Sequence, residues 1–82
     1  MGKTLGSARH KLLVDFIVSK RDAAGLTQTQ LAEKLGEYQS FVARLESGQR
    51  RVDVVELLDL ANALEFDAKS LLDRLSKVPL KK

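Results

Sequence analysis

The sequence contains no cysteine and no tryptophan, one proline and one histidine, and aromatics make up only 5% of its 82 residues. Without cysteine there can be no disulfide and no thiolate-ligated zinc. His10 has no second His or Cys with which to hold a metal and is expected to be an exposed side chain on the first helix. No apolar run exceeds three residues, as in Leu12-Leu13-Val14, against the roughly 20 that a membrane-spanning helix requires. The first residues lack the apolar stretch of a signal peptide, and Gly6 stands where a myristoylation signal needs Ser or Thr. The expectation is a soluble, cytoplasmic protein with no membrane partner. There is no Gly-rich phosphate loop and no activated-nucleophile constellation, so an enzyme is not expected, nor a cofactor.

Hydrophobic residues at 44% and charged residues at 30% are what an ordinary globular chain carries. A chain of this length has room for one domain, its core built from Leu, Val, Ile and Ala, and its stability is expected to be marginal. With no second domain to hold a ligand, a small-molecule effector is not expected. The net charge of +3 is unevenly spread. Residues 1–51 carry nine Lys/Arg and five Asp/Glu, whereas 52–82 carry five and six. Five acidic and no basic residues fall between Asp53 and Asp67. One end is basic and the other acidic, which would turn the basic end toward a polyanion.

Period and punctuation predict five helices and no strand, an all-α fold. The first runs from Ala8 to Ala24, with Ser7 as N-cap, Leu13, Phe16, Ile17 and Ala24 as its apolar stripe, and Gly25 to end it. Thr27-Gln28-Thr29-Gln30 is a capping box opening a second helix, Gln28 to Leu35, closed by Gly36. A third helix follows from Gln39 to Ser47 and stops at Gly48. The fourth begins after Asp53, with Glu56 as its box partner, and reaches Leu64; Asp67 caps a fifth through Ser76. Residues 1–7 form an N-terminal arm, 8–76 the domain, and 77–82 a C-terminal tail. Lys3, Arg9 and Lys11 make the arm basic enough to touch a polyanion.

Residues 28–47 are therefore two short helices joined by Gly36-Glu37-Tyr38. Leu31, Ala32 and Leu35 on one helix and Val42 and Leu45 on the other can meet only if the helices cross near Ala32, where a larger side chain would hold the backbones apart. That packing leaves Gln39, Ser40, Ala43 and Arg44 facing outward, the face a recognition helix presents to base edges. Gln39 suits adenine N6 and N7, and Arg44 suits guanine O6 and N7; each bidentate pair discriminates by about 1–3 kcal/mol. Glu46 is read as structural, paired with an Arg or a backbone N–H, and Phe41 and Phe66 as core or interface residues.

The stretch LTQTQLAEKLGEYQSFVARLESGQRR, continuing into VDVVELLDLANAL, resembles the Cro/cI-type helix-turn-helix family, also called the xenobiotic-response-element (XRE) family. Within it the chain is similar to short stand-alone bacterial regulators with a Gln-Ser-Phe recognition helix and an Arg-Arg-x-Asp-Val-Val-Glu fourth helix. The likeness covers about residues 11–72. It implies a five-helix, lambda-repressor-like fold and sequence-specific binding to double-stranded DNA by a homodimeric transcriptional regulator. Tyr38, Gln39, Ser40 and Arg44 then occupy base-contacting positions, while Gln28, Ser47, Gln49, Arg50 and Arg51 contact phosphates. Two departures stand out. Tyr38 replaces the usual Ser, Thr or Pro, removing a cap of about 1 kcal/mol, and Glu37 puts an acid where phosphates should pass. Two recognition helices of a dimer would lie about 34 Å apart, with Leu71, Leu75, Val78 and Leu80 as the expected dimer surface. The rival readings are an antitoxin that also grips a toxin subunit, and a protein-interaction module that kept the fold and lost DNA binding.

Overall fold

The computed structural model describes residues 7–79, which form five α-helices and no strand. They are α1 (Ala8–Ala23), α2 (Gln28–Leu35), α3 (Gln39–Glu46), α4 (Val54–Leu64) and α5 (Ala68–Ser76). Each start has a local cause. Ser7 Oγ accepts from the His10 N–H at 3.1 Å. Thr27 with Gln30 and Asp53 with Glu56 complete reciprocal capping boxes, and Asp67 accepts from the Lys69 N–H. Only α3 begins without a side-chain cap, at Tyr38, as its phenol cannot reach back to the first-turn amides.

α2 packs chiefly on α3, and α1 lies across α3, α4 and α5. The shared core is Ile17, Leu31, Ala32, Val42, Leu45, Leu60 and Leu64. Phe16 and Phe66 close its α1 side edge to face, with ring centroids 5.0 Å apart. Fully burying a Leu or Ile stabilises by roughly 1.5–3 kcal/mol, and Ile17, Leu31, Leu45, Leu60 and Leu71 are each essentially inaccessible.

Several expectations need correction. Helix α1 ends one residue early, and Ala24 is exposed while Val14 is buried. The buried positions of α1 are Val14 and Ile17, with half-buried His10 and Arg21 one turn to either side, so a polar residue, Arg21, takes the place on the stripe that Ala24 was expected to extend. His10 is not fully exposed: its Nε2 is buried and accepts no hydrogen bond from the described residues. Helix α3 stops at Glu46, with Ser47 as its C-cap. Arg9 belongs to α1 rather than to an arm, and donates to the carbonyls of Val78 (2.9 Å) and Ser76 (3.3 Å), pinning the chain beyond α5 to α1. Leu71, expected on a dimer surface, is 1% exposed and belongs to the chain's own core. Leu75 and Val78 are half-buried. Among the described residues the exposed large apolar side chains are instead Val54, Val55 and Leu58 on α4, Leu72 on α5, and Tyr38. Leu80 and Lys3 lie outside the described residues. Among the described residues no helix is long and apolar enough to cross a membrane, and no acid–His cluster could hold a metal ion.

Candidate nucleic-acid interface

The turn between α2 and α3 depends on one backbone conformation. Gly36 sits at φ 70°, ψ 32°, the left-handed region that costs a side-chain-bearing residue about 1–2 kcal/mol. Its reversal lets the Glu37 N–H return to the Ala32 carbonyl at 2.9 Å. Ala32, 1% exposed, lies in the core that α2 and α3 share with Leu31, Val42 and Leu45. Val42 and Leu45 then face inward at 0% and 1% exposure. Helical spacing leaves Gln39, Ser40 and Arg44 exposed and Ala43 half-buried. Tyr38, 84% exposed, projects at the same end of α3.

The polar side chains of this edge are connected. Glu46, whose side chain is 6% exposed, accepts from Arg21 Nε at 2.6 Å on one oxygen and from Arg21 Nη2 at 2.9 Å on the other. Arg21 Nη1 donates to the Leu26 carbonyl at 2.8 Å, fixing the guanidinium on the α1–α2 connection. The Glu46 oxygen nearer α2 also accepts from Gln28 Nε2 at 2.9 Å. Gln28 Oε1 in turn accepts from Gln39 Nε2 at 2.8 Å. A chain of four side chains thus runs from α1 through α3 and α2 back to the first residue of α3. Bonding to Glu46 is the main reason the Arg21 guanidinium is held above its ordinary value, so it remains charged.

A second pair lies on the other side of α3. Arg50 donates from both terminal nitrogens to Glu56, at 2.9 and 3.0 Å. Its guanidinium carbon stands 4.5 Å from the centre of the Phe41 ring. Glu56 also accepts from the Asp53 N–H at 3.1 Å as half of the α4 capping box. Arg50 holds the Glu56 carboxyl below the usual carboxylate range, chiefly through those hydrogen bonds and against the opposing effect of burial. Ser47, Gln49 and Arg51 are exposed in the connection. The Ser47 hydroxyl donates to the Arg44 carbonyl at 3.2 Å.

Of the residues expected to contact bases, Tyr38, Gln39, Ser40 and Arg44 all lie on one exposed end and face of α3. Of the five expected at phosphates, Ser47, Gln49 and Arg51 are exposed, whereas Gln28 and Arg50 are half-buried, with their side chains bonded to Glu46 and Glu56. The amide of Gln28, a residue expected at a phosphate, lies between Glu46 and Gln39. The partner of Glu46 is Arg21, which the sequence alone left unnamed. Its signal was position: a cation four residues after the buried Ile17, on the apolar stripe of α1.

The family model described as helix-turn-helix matches residues 17–71. Among solved structures, the chain is similar to an XRE-family-like protein from Pseudomonas syringae pv. tomato, at 41% identity and a TM-score of 0.79, over 88% of this chain and 89% of that one. It is also similar to the restriction-modification controller protein C.AhdI from Aeromonas hydrophila, at 36% identity and a TM-score of 0.71, over 78% and 93% of the two chains. The clp gene regulator ClgR from C. glutamicum shares the fold, with a TM-score of 0.73 at 23% identity over 89% and 96%. No protein of curated function matches the chain.

Proposed function

The chain belongs to the XRE-type helix-turn-helix family of DNA-binding regulators, and from that premise we propose that it is a sequence-specific transcriptional regulator that lays α3 in the major groove of duplex DNA. The observation that carries the reading is the exposed face of α3, where Gln39, Ser40 and Arg44 project beside Tyr38 from a helix whose opposite side is anchored in the core by Val42 and Leu45. A helix held this way presents hydrogen-bonding side chains to base edges without unfolding anything. Arg44 is the guanine reader by chemistry, with two parallel donors for O6 and N7, and Gln39 the adenine reader. Ser47, Gln49 and Arg51 supply phosphate contacts, joined by the remaining N–H groups of Arg50 and by Gln28 at the N-terminus of α2.

The protein acts as a homodimer on a pseudo-palindrome. With Leu71 committed to the core, Val54, Val55 and Leu58 on α4 and Leu72 on α5 are the apolar side chains available for self-association. Leu58→Glu should therefore lower the sedimentation mass to that of a monomer while leaving the helical circular dichroism intact.

Selection from a random duplex pool tests the reading. A recurrent two-fold site should emerge, and binding through about six phosphates should give a log–log salt slope near −5. Arg44→Ala should relax preference at one base position only. An interaction module that kept the fold and lost DNA binding would retain no duplex at low salt.

A further inference from the structure

The four-side-chain chain behind α3 has a direction, and the direction carries information. A primary amide has one accepting end and one donating end, and a free glutamine can present either. A carboxylate can only accept. Glu46 is clamped by Arg21 at 2.6 and 2.9 Å and is buried, so it cannot turn away. Its oxygen therefore obliges Gln28 to point Nε2 toward it, 2.9 Å away. Gln28 is then left with Oε1 toward α3, and Gln39 must meet that oxygen with Nε2, at 2.8 Å. Each amide orientation follows from the one before it, back to the carboxylate.

Gln39 consequently enters the groove with one of its two N–H groups already used. It has one N–H and one carbonyl oxygen left, a donor beside an acceptor. Adenine offers the complement: N7 accepts and N6 donates. Guanine offers two acceptors, N7 and O6. A free glutamine can satisfy guanine with both N–H groups of a reversed amide, but Gln39 cannot reverse while Gln28 faces it with an oxygen, and its second N–H is not available. Its carbonyl would meet guanine O6 lone pair to lone pair.

We propose that Glu46, held by Arg21, is a positioning residue that fixes the polarity of the Gln28–Gln39 amide pair and thereby makes Gln39 discriminate adenine from guanine. This rests on the assignment of Gln39 as a base reader made above. Neither Arg21 nor Glu46 touches DNA in this account; they act through Gln28.

The test uses the full chain and the duplex recovered by selection. The base pair read by Gln39 is the position whose preference disappears in Gln39→Ala. At that position the unaltered protein should favour adenine over guanine by roughly 5- to 150-fold. Glu46→Gln replaces an acceptor by a group that can also donate, so the adenine-to-guanine ratio should fall toward unity there and stay within about two-fold elsewhere. Gln28→Ala cuts the relay while leaving both Arg21–Glu46 hydrogen bonds in place, and should give the same local loss of ratio even if Glu46→Gln folds poorly. A uniform loss of affinity in Gln28→Ala, with the ratio at the Gln39 position unchanged, would overturn the inference. So would a native preference for guanine there. Retention of no duplex by the unaltered protein would sink the DNA-reading role itself, whereas retained duplex with an unchanged ratio sinks only the polarity relay.

Discussion

Two arginine–glutamate pairs flank α3, and they are chemically the same pair in different places. Arg21 and Glu46 have side chains 15% and 6% exposed, on the side of α1 and α2. Arg50 and Glu56 have side chains 29% and 23% exposed, on the side of α4. The first pair spends its spare acceptor on Gln28. The second spends its own on the Asp53 amide and lays the guanidinium on Phe41. The lesson is that a bidentate salt bridge has no fixed meaning. Burial decides how much its loss costs, and the neighbour of the leftover acceptor decides what it does. One pair braces Gln28 and through it Gln39 at the start of α3; the other fastens the start of α4 to α3.

The comparison can be broken most forcibly at Glu46. Glu46→Ala leaves the largely buried Arg21 cation with the Leu26 carbonyl and, 3.6 Å away, the exposed Asp22 carboxylate as its remaining partners. Removing one partner of a buried pair costs about 3–5 kcal/mol, a large share of the stability of so small a domain. Urea melts should show it as a drop in midpoint with unchanged slope. Replacing both members with Leu should recover much of that loss, because a buried pair is worth little relative to apolar packing, but it would also release Gln28. A double variant as unstable as Glu46→Ala would mean that the cost lies in something other than the stranded charge.

Glu56→Ala should cost less, about 1–2 kcal/mol. A half-exposed pair contributes up to about 1 kcal/mol, and the lost half of the capping box adds a few tenths to 1 kcal/mol. Equal costs at Glu46 and Glu56 would dissolve the distinction drawn from burial.

The acid limb gives a third measure. The folded Glu56 carboxyl is held below its unfolded value by Arg50. The stabilisation is fully present above the unfolded value, about 4.3, and is lost as pH falls through the lower folded value. Glu56→Gln should therefore be less stable than the unaltered protein at pH 6, the gap closing as the pH drops toward 3. A gap that stays constant with pH would show that the bond to Arg50 does not depend on the carboxylate charge.

Much of this architecture was legible in the chain because it is written in local chemistry. Thr27 with Gln30, Asp53 with Glu56, and glycines at 25, 36 and 48, all at positive φ, fix helix ends within one residue. Local rules were less informative where a residue's role depends on something distant in sequence. Glu65 ends α4 at φ 58°, a left-handed conformation that sequence gives no reason to expect of Glu. Leu71 is expected at a dimer surface with its C-terminal neighbours Leu75 and Val78, yet the rest of the domain already covers it. Gln28 and Gln39 were each assigned to DNA separately, since nothing in an eleven-residue spacing says that two amides will meet. Arg50 was assigned to phosphate from its place after α3, and only the fold reveals Glu56 and Phe41 beside it. The face pointing outward was readable from period; what stands behind that face was not.

The smallest effect is also the most discriminating between the two pairs. Double-mutant cycles isolate each pair's coupling from the costs of truncation. Raising salt from about 0.1 to 1 M shortens the Debye length from roughly 10 to 3 Å, and ions reach a side chain in proportion to its contact with water. The Arg50–Glu56 coupling should therefore shrink measurably, by a few tenths of a kcal/mol. The Arg21–Glu46 coupling should move less, because its carboxylate is nearly closed to solvent and its geometry is tied to Leu26 and Gln28. If both couplings fell by the same fraction, the buried pair would be as open to ions as the exposed one. A carboxylate so loosely held could not dictate which way Gln28 faces.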